Sequence, residues 1–279
     1  MLESFFALLG LAREPVNPLP SLDLLEIHAA PQLEKFSEPV VAAKAALLVD
    51  LGSGKILWGK QIDEKLPIAS LTKLMTAVVA RENFGLGEIV SVSAEAAEQP
   101  PAKIWLAPGE QISVGNLLQG MLIESANDAA FALAGKVGSE DFVAKMNLKA
   151  AALGLAQAHF ANPVGYDDEA NFATARDLAI LAQYFLRDEF LRNIVATQRA
   201  VIASTQGKVH PLVSTNQLFG SYLDVRGLKT GSTDEAGECV ATIAHLTNGA
   251  EILAIVLNSP NRFQEAKALL TWAEKSFHW

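Results

Sequence analysis

The hydrophobic pattern changes twice along the chain and separates sheet-forming from helix-forming regions. Residues 43–60, AKAALLVDLGSGKILWGK, predict two strands joined by a turn at Gly52-Ser53-Gly54. After about residue 200 the segments VRGLKTGST, GECVATIAHL and AEILAIVL again predict strands, and Asn248-Gly249 between the last two is typical of a hairpin. The chain is therefore expected to leave an antiparallel sheet, build a helical layer and return to finish the sheet.

Helical periodicity fills the middle of the chain and returns at its end. A helix beginning near Ala69 places Leu71, Leu74, Met75 and Val78 on one buried stripe. Further helices are predicted over SVGNLLQGMLI, over AAFALAGKVG and from about Asn261 to Phe277. Another is expected to begin at Ser139 as its cap, and TARDLAILAQYFLRDEF is predicted to begin with Thr174 and Asp177 in capping-box positions. Residues 88–112, broken by Pro100-Pro101, are predicted to be irregular.

Composition excludes several classes of function. The chain has 279 residues, half of them hydrophobic, which is enough for a full-sized core. A net charge of -9 and a pI near 5.1, with no lysine- or arginine-rich run, give no support to a nucleic-acid surface. Cys239 is the only cysteine, and the five histidines are scattered without ligand spacing, so neither an internal disulfide nor a metal site is expected.

Composition also separates an N-terminal region from the rest of the chain. Residues 1–40 contain a short apolar run, Phe5–Ala12, preceded by Glu3 rather than by basic residues, and are punctuated by five prolines. They are interpreted as an N-terminal extension, the remnant of a signal or a linker. Residues 41–279 are predicted to form one domain, with a sheet layer from 41–69 and 200–279 and a helical layer from 70–199.

Ser70 and Lys73 stand three residues apart in the first predicted helix, PIASLTKLMTA. At this spacing their side chains can meet on one face. A serine hydroxyl becomes a nucleophile when a base takes its proton, and a lysine whose pKa is lowered by burial or by a neighbouring cation can be that base. The alternative for these two residues alone is a serine near the N-cap and a lysine that snorkels to solvent.

Two further triplets carry polar side chains that could take part in catalysis or substrate binding. Ser125-Ala-Asn127 lies in a break between predicted helices, where an extended backbone would point both side chains the same way; the alternative is that they cap the next helix. Lys229-Thr230-Gly231 lies on a late strand, where Lys229 would add a second cation and Gly231 would let a substrate backbone approach; the alternative is a polar strand end.

The combination S-x-x-K, S-x-N and K-T-G, in this order and in these structural contexts, is the signature of penicillin-recognising serine enzymes. From about Ala42 to its end the sequence resembles the low-molecular-mass penicillin-binding proteins of the D-alanyl-D-alanine carboxypeptidase type. The segments that carry the resemblance are LPIASLTKLMTA, LLQGMLIESANDAA, ANPVGYDDE, FATARDLAIL, STNQLFGSYLDVRGLKTGSTDEAGECVATIA and NRFQEAKALLTWAEK.

This resemblance implies an α+β, β-lactamase/transpeptidase-like fold, in which helices flank an antiparallel sheet and a helical subdomain is inserted. It implies an acyl transfer without a cofactor or metal, in which Ser70 attacks the carbonyl between the terminal D-alanines of a peptidoglycan stem peptide and Lys73 is the base. Ser125 would help to carry the proton to the leaving D-alanine, and Asn127 would position the amide and Lys73. Lys229 would keep the site electropositive and hold Lys73 or Ser125 in place.

The resemblance also implies a substrate-binding set and a mode of inhibition. The oxyanion would lie between the backbone N–H groups of Ser70 and Ser232, beside Gly231. Thr230 and Arg262 would bind the terminal carboxylate, for which an arginine fork is suited. Water would release the acyl-enzyme, and β-lactams would be covalent inhibitors.

Location follows from the implied substrate. Because peptidoglycan lies outside the cytoplasm, an extracytoplasmic location, in the periplasm or on the wall side of the membrane, is expected although the N-terminus is a weak signal. No apolar run reaches the length of about eighteen residues that crosses a bilayer. Many relatives continue into a β-rich domain and an amphipathic anchor, whereas this sequence stops at Trp279, so no C-terminal membrane anchor is expected.

Three other functions stay open at this point. A D,D-endopeptidase that cuts cross-links would use the same residues. A serine β-lactamase shares the chemistry, but no counterpart is seen to the glutamate that activates water in class A enzymes, and the corresponding region reads ANPVGYDDE. A non-catalytic wall-binding protein with the same fold is opposed by the intact motifs.

The remaining reactive side chains are given structural roles. Asp177 is interpreted as a helix cap and its neighbour Arg176 as half of an ion pair. Asp167 and Asp168 are assigned to a solvated loop, and Cys239, within an apolar strand, is expected to be buried and inert.

Overall fold

The computed structural model describes residues 30–33 and 38–279, and its centre is a five-stranded antiparallel sheet. The strands, in spatial order, are β10 (Asp224–Thr233), β11 (Gly237–His245), β12 (Glu251–Ser259), β2 (Ala45–Asp50) and β3 (Ile56–Lys60). The early β2–β3 hairpin and the last three long strands thus lie in one antiparallel sheet. With the helices that lie between them in sequence, this confirms the predicted α+β fold. The predicted turn at Asn248-Gly249 joins β11 to β12.

Short strands pair outside this sheet. They are β1 (Gln32–Leu33) with β13 (Phe277–His278), β4 (Leu66–Pro67) with β7 (Phe172–Ala173), β5 (Ile89–Ser91) with β6 (Gln111–Ser113), and β8 (Arg199–Ala203) with β9 (Val209–Val213). The prediction that residues 88–112 are irregular is wrong in part, because β5 and most of β6 lie there.

Eight helices lie in the described residues. They are α1 (Lys73–Asn83), α2 (Ala94–Ala97), α3 (Val114–Ile123), α4 (Asn127–Gly135), α5 (Ser139–Ala152), α6 (Ala175–Phe185), α7 (Glu189–Val195) and α8 (Arg262–Ser276). None of them is long and apolar enough to cross a membrane.

Two hydrophobic cores lie on opposite faces of the sheet, and β2 contributes to both. Leu47 and Val49 face the core that contains α1, whereas Ala46 and Leu48 face the core that contains α8. Successive strand residues point to opposite faces, so a strand covered on both sides has no polar positions. This explains why β2 is apolar except at its last residue.

Helix α1 is buried almost all the way round. The predicted stripe of Leu71, Leu74, Met75 and Val78 is buried, but so are most of the other residues from Lys73 to Ala80. A 3-10 turn, Ala69–Thr72, precedes the helix and carries Ser70. Because Lys73 opens a helix with no solvent-facing side, its ammonium cannot snorkel to water, and the structural alternative for this residue is wrong.

Two predicted helix starts have different outcomes. Thr174 and Asp177 form the predicted capping box at α6, and Arg176 pairs with Asp63 at 2.6 Å. The prediction that Ser139 caps a helix is wrong: Ser139 is the first residue of α5, and Gly138, with φ +92°, occupies the cap position without a side-chain bond. The N-terminal extension, residues 1–40, lies outside the described residues at 1–29 and 34–37.

Candidate active site

Ser70 lies where a tight turn meets the edge strand of the sheet. The turn is closed by Leu71 N–H, which donates to Ile68 O at 3.1 Å, and Ala69 has φ +48°, a left-handed conformation that is rare outside glycine. Gly231 of β10 passes directly beside it, since a Cβ added there would lie 2.6 Å from Ser70 N. The main-chain N–H of Ser70 and the strand that carries K-T-G are therefore adjacent.

Lys73 has no exposed surface, and its Nζ has three hydrogen-bond partners. These are Ser70 Oγ at 2.8 Å, Asn127 Oδ1 at 2.8 Å and Val164 O at 2.9 Å. The amide and carbonyl oxygens can only accept, so in the neutral amine they take both N–H groups. The remaining lone pair then faces the hydroxyl of Ser70, which is the geometry that a general base needs.

Asn127 opens helix α4 and is oriented by its other contact. Its Nδ2 donates to Pro100 O at 3.0 Å, so Oδ1 is the atom turned toward Lys73. Its backbone N–H donates to Ala102 O at 2.7 Å. One residue therefore ties the lysine to the segment that begins at Pro100.

The third partner of Lys73 comes from a tight turn, residues 162–166. Asn162 Oδ1 accepts the N–H groups of Val164, Gly165 and Tyr166 at 3.2, 2.7 and 3.1 Å. Such Asx turns hold a short loop in one conformation. Gly165, with φ +88°, lies so close to the Ser70 turn that an added Cβ would be 1.8 Å from Ala69 O. The turn thus packs on the segment that carries Ser70 and presents Val164 O to Lys73.

Burial and like charge favour the neutral form of both lysines. Burial, and next the charge of Lys229, lower the pKa of Lys73 well below its ordinary value, against an opposing effect of Asp128. Burial, and next the charge of Arg262, lower the pKa of Lys229 to about 7. The neutral form of Lys73 can accept a proton from a serine.

Two groups that can bind an anion lie along β10. Thr230 is 3 % exposed and its Oγ1 lies 2.6 Å from Thr215 Oγ1. Arg262, the first residue of α8, donates from Nη1 to Gly231 O at 2.6 Å, which leaves other guanidinium N–H groups for a ligand. A hydroxyl on β10 and a guanidinium that is hydrogen-bonded to the next residue of that strand suit a carboxylate.

Comparisons with known proteins identify the family of this chain. A family profile described as D-alanyl-D-alanine carboxypeptidase matches residues 32–261. The chain belongs to this family. The chain is 36% identical over 229 residues to the D-alanyl-D-alanine carboxypeptidase DacF of Bacillus subtilis, covering 80% of this chain and 59% of that protein. It is 35% identical over 256 residues to DacC of Escherichia coli, covering 86% and 63%.

A solved structure is also similar to this protein, which spans only part of the length of its curated relatives. The crystal structure of the Streptomyces K15 DD-transpeptidase is similar with a TM-score of 0.79 and 30% identity, covering 85% of this chain and 98% of that one. The chain spans about three fifths of the length of DacF and DacC, at 59% and 63%.

The structure places Ser70, Lys73, Asn127 and Gly231 next to one another and Arg262 against Gly231, but Ser125 and Lys229 are not arranged as predicted. Ser125 is not extended: it has φ +63°, and Asn127 after it is already helical, so strand alternation does not align them. Lys229 Nζ donates to Thr230 O at 2.9 Å rather than to Lys73 or Ser125, so it reaches Lys73 through its charge alone. Ser232, whose N–H is the second predicted oxyanion donor, lies exposed at the end of β10.

Sequence patterns predict no role in the site for Val164 or Thr215. The contribution of Val164 is a carbonyl, which every residue carries, so its only signal is the turn-forming Asn162 and Gly165 in ANPVGYDDE. Thr215 gives no signal until β10 is placed beside it.

The structural roles assigned to other reactive residues are confirmed. Cys239 has no exposed surface, and burial raises the pKa of its thiol to about 11. Asp167 and Asp168 are exposed, and Asp168 accepts a hydrogen bond from Ala170 N at 2.8 Å.

Replacing Lys229 with methionine is expected to stabilise the fold near neutral pH and to lose that advantage as pH rises. The folded pKa of about 7 lies below the ordinary 10.5, so the unfolded chain binds more protons between these values. The wild type therefore gains stability with rising pH in this window, by up to about 1.4 kcal/mol per unit, and the variant does not. Chemical denaturation of both proteins at pH 7 and pH 10 measures the difference.

Lys275→Met is the matched control, because Lys275 is an exposed lysine in the last turn of α8. Replacing this exposed side chain should change the free energy of unfolding by less than about 0.5 kcal/mol. A difference for Lys229→Met that does not change with pH would show that Lys229 is not destabilised by its burial.

Proposed function

We propose that the protein is a serine D-alanyl-D-alanine carboxypeptidase, which removes the terminal D-alanine from peptidoglycan stem peptides outside the cytoplasm. The observation that carries the proposal is the environment of Lys73 Nζ, whose contacts with Asn127 Oδ1 and Val164 O leave a lone pair for Ser70. Family membership supports the substrate class, since DacF and DacC carry this activity in their names.

In the acylation step, Ser70 Oγ bonds to the penultimate D-alanine carbonyl while its proton passes to Lys73. The N–H groups of Ser70 and Ser232 stabilise the oxyanion, and the C–N bond then breaks as the leaving amine takes a proton through Ser125. Thr230 and Arg262 hold the terminal carboxylate. Losing one oxyanion donor in sites of this kind raises the barrier by about 3 to 4 kcal/mol.

The loop where class A β-lactamases place their glutamate supports slow release of a β-lactam. Its contact with Lys73 is the carbonyl of Val164, and its three carboxylates, Asp167, Asp168 and Glu169, are all exposed. None of them is hydrogen-bonded to Ser70 or Lys73, so no carboxylate of this loop activates the water that releases the acyl group. The protein should therefore be inhibited by penicillin rather than destroy it efficiently.

The test is release of D-alanine from diacetyl-L-lysyl-D-alanyl-D-alanine. The wild type should release one D-alanine per peptide, and Ser70→Ala should release none above background, because the acyl-enzyme cannot form. Ser139→Ala, at the start of α5, is a control for an unrelated serine and should be fully active. Release by the Ser70 variant at the wild-type rate would refute the proposal.

A further inference from the structure

Trp105 is a large aromatic residue that the fold holds in solvent. It is 67% exposed and has φ +61°. A bulky residue in the left-handed region is strained, and such strain persists only where the surroundings impose it. Its neighbours Ile104 and Leu106 are each 4% exposed, so the chain turns two side chains inward and this one outward.

The conformation of Trp105 is imposed by a buried carboxylate. Asp128, which has no exposed surface, accepts Ile104 N–H at 3.2 Å on one oxygen and Leu106 N–H at 3.0 Å on the other. The carbonyl of Trp105 accepts Lys208 Nζ at 2.6 Å. Hydrogen bonds before, at and after the residue therefore fix its backbone, and the indole cannot turn into the core.

The same anchor connects Trp105 to the active site. Asp128 directly follows Asn127, whose side chain bonds Lys73 Nζ at 2.8 Å and Pro100 O at 3.0 Å. Asn127 N–H also bonds Ala102 O, three residues before Trp105. Three residues reach at most about 10 Å. Trp105 therefore lies three residues along the chain from Ala102, which is bonded to Asn127, the residue that positions Lys73.

A positive charge lies beside the Trp105 ring. Lys103 Nζ lies 4.7 Å from the centroid of the Trp105 ring and donates to Ala97 O at 3.1 Å. An exposed aromatic face offers apolar contact to an aliphatic chain, and an ammonium beside it can pair with a carboxylate. In a protein with a net charge of -9, such a combination suits a peptide that carries a carboxylate.

We propose that Trp105 and Lys103 form a specificity subsite for the acidic peptide that precedes the scissile bond, an inference that rests on the proposed carboxypeptidase function. The D-alanyl end is held along β10, and the preceding residues extend over the indole with a carboxylate near Lys103 Nζ. Trp105 then raises the affinity for longer acidic substrates without taking part in the reaction itself.

The test compares diacetyl-L-lysyl-D-alanyl-D-alanine with a longer peptide that has D-glutamate, linked through its γ-carboxyl, before the lysine. Trp105→Ala should lower kcat/KM for the longer peptide about ten-fold, through KM, and change the short one less than about two-fold. Trp105→Phe should keep most of the preference. An equal loss on both peptides, or no loss on either, would overturn the proposal.

Tyr222 provides a matched control. It is also 67% exposed, and Lys267 Nζ lies 4.3 Å from its ring, but its hydroxyl bonds Thr271 in the middle of α8. Tyr222→Ala should change neither peptide. Lys103→Gln should reduce the preference for the glutamate peptide and leave unaffected a version of that peptide whose free α-carboxyl is amidated, as in D-isoglutamine; an equal effect on both would contradict the role of its charge.

Binding without turnover separates this inference from the proposed function. Calorimetry on the Ser70→Ala protein should show tighter binding of the longer peptide, and adding Trp105→Ala should remove that advantage. If the wild type cleaves neither peptide, the carboxypeptidase proposal fails, and the calorimetric comparison still decides whether the subsite exists. Equal affinities with and without Trp105 would refute the subsite.

Discussion

Replacing Lys73 with methionine is expected to slow acylation of Ser70 by about 10² to 10⁴-fold, the range over which a positioned general base acts. Methionine keeps an unbranched side chain of similar length but has no lone pair for the serine proton. The contacts of Nζ with Ser70, Asn127 and Val164 are lost together. The rate constant for reaction with benzylpenicillin, followed by intact mass at several drug concentrations, measures the effect.

The same variant should remain folded. Burying Lys73 costs free energy because its ammonium must either lose its solvation or give up its proton, and an apolar residue of similar volume avoids that cost and offsets the lost hydrogen bonds. Lys275→Met on the surface should acylate at the wild-type rate. Acylation by Lys73→Met within ten-fold of the wild type would mean that another group takes the serine proton.

Replacing Gly165 with alanine is expected to abolish most activity by moving the turn that supports Lys73. The added Cβ would lie 1.8 Å from Ala69 O and 2.9 Å from Thr72 Oγ1, and Gly165 has φ +88°. Overpacking and backbone strain together correspond to about 2 to 5 kcal/mol of lost stability. Because the turn must separate from the Ser70 segment, Val164 O leaves Lys73, and both acylation and thermal stability should fall.

Gly138→Ala separates backbone strain from the steric clash. Gly138 has φ +92°, close to that of Gly165, but nothing lies within 4 Å of an added Cβ. This variant should lose only about 1 to 2 kcal/mol, from the left-handed conformation, and keep its acylation rate. Equal losses of stability and activity in the two variants would show that the contact with Ala69 is not what positions the site.

The sheet and the helical layer could be predicted from the sequence because their hydrophobic periods differ. Strands β2 and β12 are apolar runs that end near turn residues, and the long helices show three- and four-residue spacing. The β8–β9 hairpin was missed because Pro211 lies within it and argues against a strand. Its outer positions, Val201 and Val209, are exposed hydrophobic residues, so the usual alternation with polar side chains is lacking.

The candidate site was predictable where side-chain identity carries the chemistry and unpredictable where the backbone does. Ser70 and Lys73 could be paired from their spacing on a helix. Val164 contributes a carbonyl, Gly165 a close approach, and Trp105 an unusual φ, none of which has a signature in sequence spacing. The extended geometry predicted for Ser125 and Asn127 failed because α4 begins at Asn127.

The most direct test of the central claim, that Ser70 is a nucleophile activated by Lys73, is the intact mass of the protein after exposure to benzylpenicillin. The account predicts a long-lived increase of one drug molecule, located on the peptide that contains Ser70 and absent in Ser70→Ala. A brief adduct with rapid turnover of the drug would instead indicate a β-lactamase. No adduct at any time would contradict the account, because the hydrogen-bonded serine and lysine would then not form a working nucleophile.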